Sequence, residues 1–181
     1  TSSLLDTAIE LQRWSDAVGY LETLLEVRQT VSLLMKAVIV YNALGDLQKA
    51  VEYAGVLANE FPENPEAVDT YLNLLLDTGR NGQASEYINR RLDENTNSEV
   101  KSLLLYFRSR LVQDQDEKLQ YLQSALLENM QNLEALIEIA GLYESVGEYN
   151  KAVRYLRQAI ALNPEDQALK RKMRELQNRL E

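Results

Sequence analysis

Four segments of 34 residues, beginning at 31, 65, 99 and 133, follow one another without insertion. A fixed period of this length confines a chain to stacked copies of one small unit, each burying its apolar face against the next. The stretch Leu133–Asp166 shows the unit most plainly, as LEALIEIAGLYESVGEYNKAVRYLRQAIALNPED. Leu136, Ile139, Ala140 and Tyr143 fall at helical spacing, Gly147 interrupts, and Ala152, Leu156, Ala159 and Ile160 resume the pattern until Asn163-Pro164 stops it. Small Ala140, Ala152 and Ala159 alternate with large Tyr143, Tyr149 and Leu156, which lets two antiparallel helices approach closely and interlock.

The same marks recur along the chain. In 31–64, Leu34, Ala37, Val38 and Tyr41 line a first helix and Gly45-Asp46 turn the chain. Ala50, Ala54 and Leu57 line the second helix, and Phe61-Pro62 close it. In 65–98, Pro65 opens a helix lined by Val68, Tyr71, Leu72 and Leu75, and Gly79 marks the turn before Ala84 and Ile88. Arg91 stands where a small residue is expected, and Asn95-Thr96-Asn97-Ser98 forms the loop, with Ser98 as the helix cap. Unit 99–132 departs most: Gln113 replaces the turn glycine and Lys118 the first small residue of its second helix. Its helices are expected to sit slightly apart, with the Lys118 stem lying along the surface. Residues 1–30 read as a partial repeat, with Leu4, Leu5, Ala8 and Ile9 before Trp14, Ala17, Leu21 and Leu24. Residues 167–181, with Leu169, Met173, Leu176 and Leu180 as a narrow stripe, read as a capping helix that is polar outside.

These residues resemble the tetratricopeptide repeat, whose spaced small and aromatic positions and closing proline 133–166 matches. The resemblance implies an all-α, single-domain, right-handed superhelical solenoid of antiparallel helix pairs over 1–181. It also implies that the first helices line a concave, partner-binding groove. One subclass of the family grips a C-terminal carboxylate with Lys and Asn on successive first helices. Asn73 fits that pattern, but Met35 and Asp69 stand where its cationic or amide groups belong, so this clamp is not expected.

The remaining chemistry is sparse. With no Cys and no His, the chain lacks thiolate sites, the commonest metal ligand and the commonest general base near neutral pH. Glu134/Glu138 and Asp114/Asp116 read as solvated helix surface. Asp114-Gln115-Asp116-Glu117 opens like a calcium loop but lacks its glycine and distal Glu. Neither an enzyme, a metal nor a cofactor is expected. A net charge of −9 argues against nucleic acid. Residues 167–181 hold +3 of that balance, which leaves the rest at −12 and favours basic or neutral partners. Lacking an apolar run near the roughly 20 residues of a membrane span, the chain is expected to be soluble, in the cytoplasm or cell envelope. Starting at Thr1 without a leader, it reads as a piece of something longer.

First-helix positions turned away from their partner helices are the candidate binding residues: Met35, Ile39, Asn42, Asn73, Leu76, Leu103, Phe107, Arg110, Leu111, Ile137 and Glu144. Met35, Ile39, Leu76, Leu103, Phe107, Leu111 and Ile137 would form an apolar strip, and such strips mark contact surfaces. Asn42 and Asn73 would hydrogen-bond a ligand backbone, and Arg110, among Asp77 and Glu144, would pair with a ligand carboxylate. Gly141 leaves room for a bulky ligand side chain. The expected partner is a protein or peptide whose amphipathic helix or apolar segment lies in the groove. A structural or self-associating module, such as a homodimer, is the alternative.

Overall fold

The computed structural model describes residues 2–94 and 96–180. Asn95 of the expected 95–98 loop and Glu181 of the expected terminal helix lie outside the described residues, as does Thr1. Among the described residues there are eleven α-helices and no strand. They divide into two compact units, Thr1–Ala84 and Ser85–Glu181, with the boundary inside α6.

The first unit contains α1 (Ser2–Glu10), α2 (Trp14–Leu25), α3 (Val31–Ala43), α4 (Leu47–Glu60), α5 (Pro65–Asp77) and the start of α6 (Asn81–Asp93). From α1 to α5 each helix packs on its successor. The second unit continues with α7 (Ser98–Leu111), α8 (Gln115–Glu128), α9 (Leu133–Ser145), α10 (Tyr149–Leu162) and α11 (Gln167–Asn178), again with sequential packing from α7 onward. Within the repeats, three-residue turns join the two helices of each pair, which therefore run antiparallel. No helix among the described residues is long and apolar enough to cross a membrane.

Local chemistry sets these boundaries. Gly45 and Gly147 take φ of 76° in the turns after α3 and α9, a region that costs a side chain energy but glycine almost none. The turn after α7 avoids that conformation: Val112 is extended at φ −94° and ψ 148°, so Gln113 needs no replacement by glycine. First helices are capped by Thr30, Asn64, Asn97 and Asn132, whose side chains accept from the backbone N–H three residues on. Asn97, not Ser98, is thus the cap of α7, one residue earlier than strict spacing requires.

In the first unit, Tyr41 closes the core between α2, α3 and α4. Its ring stacks on Tyr53 at 5.3 Å and its hydroxyl donates to Glu22 Oε1 at 3.2 Å. Burial, and next the bond to the Glu22 carboxylate, push the phenol well above the ordinary tyrosine range. A phenol that holds its proton more tightly when folded stabilises the fold fully below the unfolded pKa of about 10, and loses that contribution as pH rises beyond it. Tyr41→Phe is therefore expected to flatten the fall in Tm above about pH 10. Melting curves from pH 8 to 12 check this, and parallel curves for wild type and variant would refute it.

Repeat 99–132 is not looser than 31–64 or 133–166: α7 and α8 contact as extensively as α3 and α4 or α9 and α10. The reason lies in buried Ser102, whose Oγ donates to the Ala125 carbonyl at 2.7 Å and draws the two helices together. Lys118 turns outward to Glu138 of α9 at 3.0 Å, three-quarters buried along its stem. Arg91, at its unexpected place in α6, is buried and pairs with Glu94. Leu4 is exposed rather than part of the α1 stripe, and Leu180 lies beyond the end of α11, also exposed. Leu169 and Leu176 are buried where α11 packs on α10.

Candidate functional site

Of the eleven sequence-derived positions, five lie in the first unit and six in the second. In the first unit, Ile39 is 48% exposed and Asn42 is open to solvent. Met35 is half-buried beside Leu34, Leu57 and Ala67, and its sulfur accepts from Thr70 Oγ1 at 3.7 Å. Asn73 donates to Asp69 on the next turn at 3.0 Å, and Leu76 is half-buried.

In the second unit, the expectation for Phe107 is overturned. Phe107 is fully buried, with its ring edge-on to Tyr106 at 5.2 Å. The displaced cap explains this. Counted from Asn97, residues Val100, Leu104 and Phe107 fall where Leu33, Ala37 and Val40 fall after Thr30, and all six are buried. One residue of register is about 100° of rotation on a helix, enough to carry a side chain from groove to core. Arg110, exposed, lays its guanidinium over the Phe107 ring at 5.6 Å, while Leu103 and Leu111 are half-buried. Glu144, expected as an acidic neighbour of Arg110, is engaged by Lys172 of α11 at 2.6 Å.

What the second unit does present is a cleft of about 530 Å³ between α9 and α11. Ile137, Ala140, Gly141 and Leu142 of α9 form one wall, and Ala168, Leu169, Lys172 and Leu176 of α11 the other. Leu156 of α10 also lines it, with Gln115 of α8 and Glu138 and Ser145 of α9. The wall is open at Gly141, where an added Cβ would meet nothing within 4 Å. The volume falls in the range of sites that enclose a small ligand or a few side chains. Of the eleven positions only Ile137 lines the cleft, with Glu144 held to its wall through Lys172.

Sequence reasoning missed the α11 wall entirely, because the helix is indistinguishable by pattern from a mere cover. The one available signal was small Ala168 beside Leu169, which leaves space at the start of the stripe. Among the described residues, no group of three or more acidic side chains could hold a metal ion.

Family models of the tetratricopeptide repeat match residues 32–64 and 135–168. No curated protein matches the chain. Several solved structures share its fold. A thermophilic TPR protein of Thermus thermophilus, TTC0263, is 19% identical with a TM-score of 0.60, covering 96% of this chain and 95% of that one. PilW, a type IV pilus biogenesis factor, is 17% identical with a TM-score of 0.66, covering 97% and 84%. YrrB, described as a TPR protein with an unusual peptide-binding site, is 16% identical with a TM-score of 0.54, covering 95% and 89%. With two repeats matched directly and second helices beginning at 47, 81, 115 and 149, the chain carries tetratricopeptide repeats at 32–64 and 135–168 on a regular 34-residue interval.

Proposed function

We propose that this chain is a non-catalytic docking scaffold whose second unit receives an apolar segment of a partner protein between α9 and α11. The repeat fold supports a protein-interaction role, and YrrB offers an instance of the same fold carrying a peptide site. The observation that carries the reading is the cleft itself, apolar along both walls and open at Gly141. Clefts of this kind hold one or two large side chains, while the surrounding contacts exclude water. In the first unit, Ile39 of α3 is exposed, with Asn42 one turn along.

Gly141→Trp tests the site. An indole built from this wall projects into the cleft and obstructs it, and replacing an exposed helical glycine by Trp gains about 0.5 kcal/mol of helix propensity. The Tm is thus expected to hold or rise. Peptides selected on the wild type from a random library are expected to bind the variant about tenfold or more weakly, equivalent to about 1.4 kcal/mol. Equal binding to both proteins would remove the cleft from the interaction.

A further inference from the structure

Resting on that reading, the two walls of the cleft differ in charge. Helix α9 carries Glu134, Glu138 and Glu144 and no basic residue. Helix α11 carries Lys170, Arg171, Lys172 and Arg174 against a single Glu175. The two charged residues that line the cleft follow suit, Glu138 on one wall and Lys172 on the other. Each already has a partner of opposite sign, Lys118 for Glu138 and Glu144 for Lys172, so neither is stranded in the apolar floor. Beyond those pairs α9 keeps Glu134, and α11 keeps Lys170, Arg171 and Arg174, so the α9 side of the cleft carries the negative excess and the α11 side the positive one.

We infer that the occupant is an amphipathic helix of a partner protein, its apolar stripe edged by basic residues on one side and acidic residues on the other. A helix suits the site better than an extended strand because it satisfies its own backbone groups. The cleft offers an extended chain few donors: of its two uncharged polar lining residues, Ser145 already gives its hydroxyl proton to the Leu142 carbonyl at 2.7 Å, which leaves the Gln115 amide. Neither terminal helix of a second copy supplies such a stripe. Helix α11 has both edges but already buries Leu169 and Leu176, and α1, with exposed Leu4, bears Asp6 and Glu10 without a basic residue.

The test is a phage-displayed library of helical peptides about 14 residues long, roughly four turns. A leucine stripe is fixed, and the flanking positions are randomised among Lys, Glu and Gln. Selection on the wild-type protein is expected to enrich Lys along one edge and Glu along the other. Reversing exposed positives on α11 by Arg171→Glu with Arg174→Glu is expected to weaken the selected peptides about tenfold at low salt, and far less at 0.5 M salt, where screening shortens the reach of charge. Peptides that lose binding to Gly141→Trp but show no edge preference, or the same sign on both edges, would overturn this inference and leave the docking site standing. Peptides indifferent to Gly141→Trp, or the absence of any binder, would overturn both. Light scattering that shows a wild-type dimer dispersed by Gly141→Trp would put a second copy in the cleft and refute the partner helix.

Discussion

Phe107→Ala is expected to cost about 3–5 kcal/mol of stability, the range for removing a fully buried phenylalanine. The side chain has no exposed surface, and the edge-on contact with Tyr106 is lost along with the packing. The cavity left in α7 cannot collapse easily, because Ser102 and Ser109 on the same helix are buried too and hold their hydroxyls on the Ala125 and Tyr106 carbonyls. In a unit of this size the loss corresponds to a fall in Tm of roughly 10 °C or more. Ile39→Ala, at a site 48% exposed, should by contrast change stability by less than about 1 kcal/mol. Urea denaturation followed by circular dichroism compares the two. Near-equal effects would return Phe107 to the surface and restore the groove role that its spacing suggests.

That role failed for a local reason. Periodicity located every second helix of the repeats, because Leu47, Asn81, Gln115 and Tyr149 open α4, α6, α8 and α10 at a constant interval. It also identified the turns at Gly45, Gly79 and Gly147, where a positive φ demands that residue. What a strict 34-residue ruler cannot register is a competition between adjacent caps. Asn97 and Ser98 both suit the position, and the Asn97 carboxamide takes it by accepting from the Val100 N–H at 2.9 Å. Every side chain on α7 is assigned through that choice, so a single displaced hydrogen bond moved Phe107 from groove to core.

The cleft was half legible. Gly141 on a first helix, next to apolar Ile137, pointed to one wall before any coordinates, since a glycine inside a helix needs a reason. The other wall comes from α11, and no pattern along 167–181 says that Ala168, Leu169 and Lys172 face Gly141 across a gap. Pairings such as Lys172 with Glu144 join residues 28 positions apart and depend on how α11 settles against α10. Charge counting saw the excess of basic residues at 167–181 only as a contrast with an acidic body. The structure sets acidic α9 and basic α11 on opposite walls of one cleft.

Asn132→Ala is the second large effect, expected at about 2–3 kcal/mol. Most helix caps contribute about 1 kcal/mol, and Asn64→Ala should cost that much, since its side chain accepts from Ala67 N–H at the half-buried start of α5. Asn132 does more. Its Oδ1 accepts from Ala135 N–H at 2.9 Å while its Nδ2 donates to Ser102 Oγ at 2.9 Å, and that hydroxyl donates in turn to Ala125 at 2.7 Å. One buried amide thereby ties the start of α9 to α7 and, through Ser102, to α8, next to the helix that forms a wall of the cleft. Removing it deprives a fully buried hydroxyl of its donor, which costs more than the lost bond alone. Ser102→Ala should be destabilising by a similar mechanism, leaving the Asn132 amide without its acceptor. Once either partner is gone the other has less left to lose, so the double variant should fall short of the summed single effects by about 1 kcal/mol. Strict additivity in that cycle would mean that the Asn132–Ser102 bond contributes nothing, and that α9 is held to α7 by apolar packing alone.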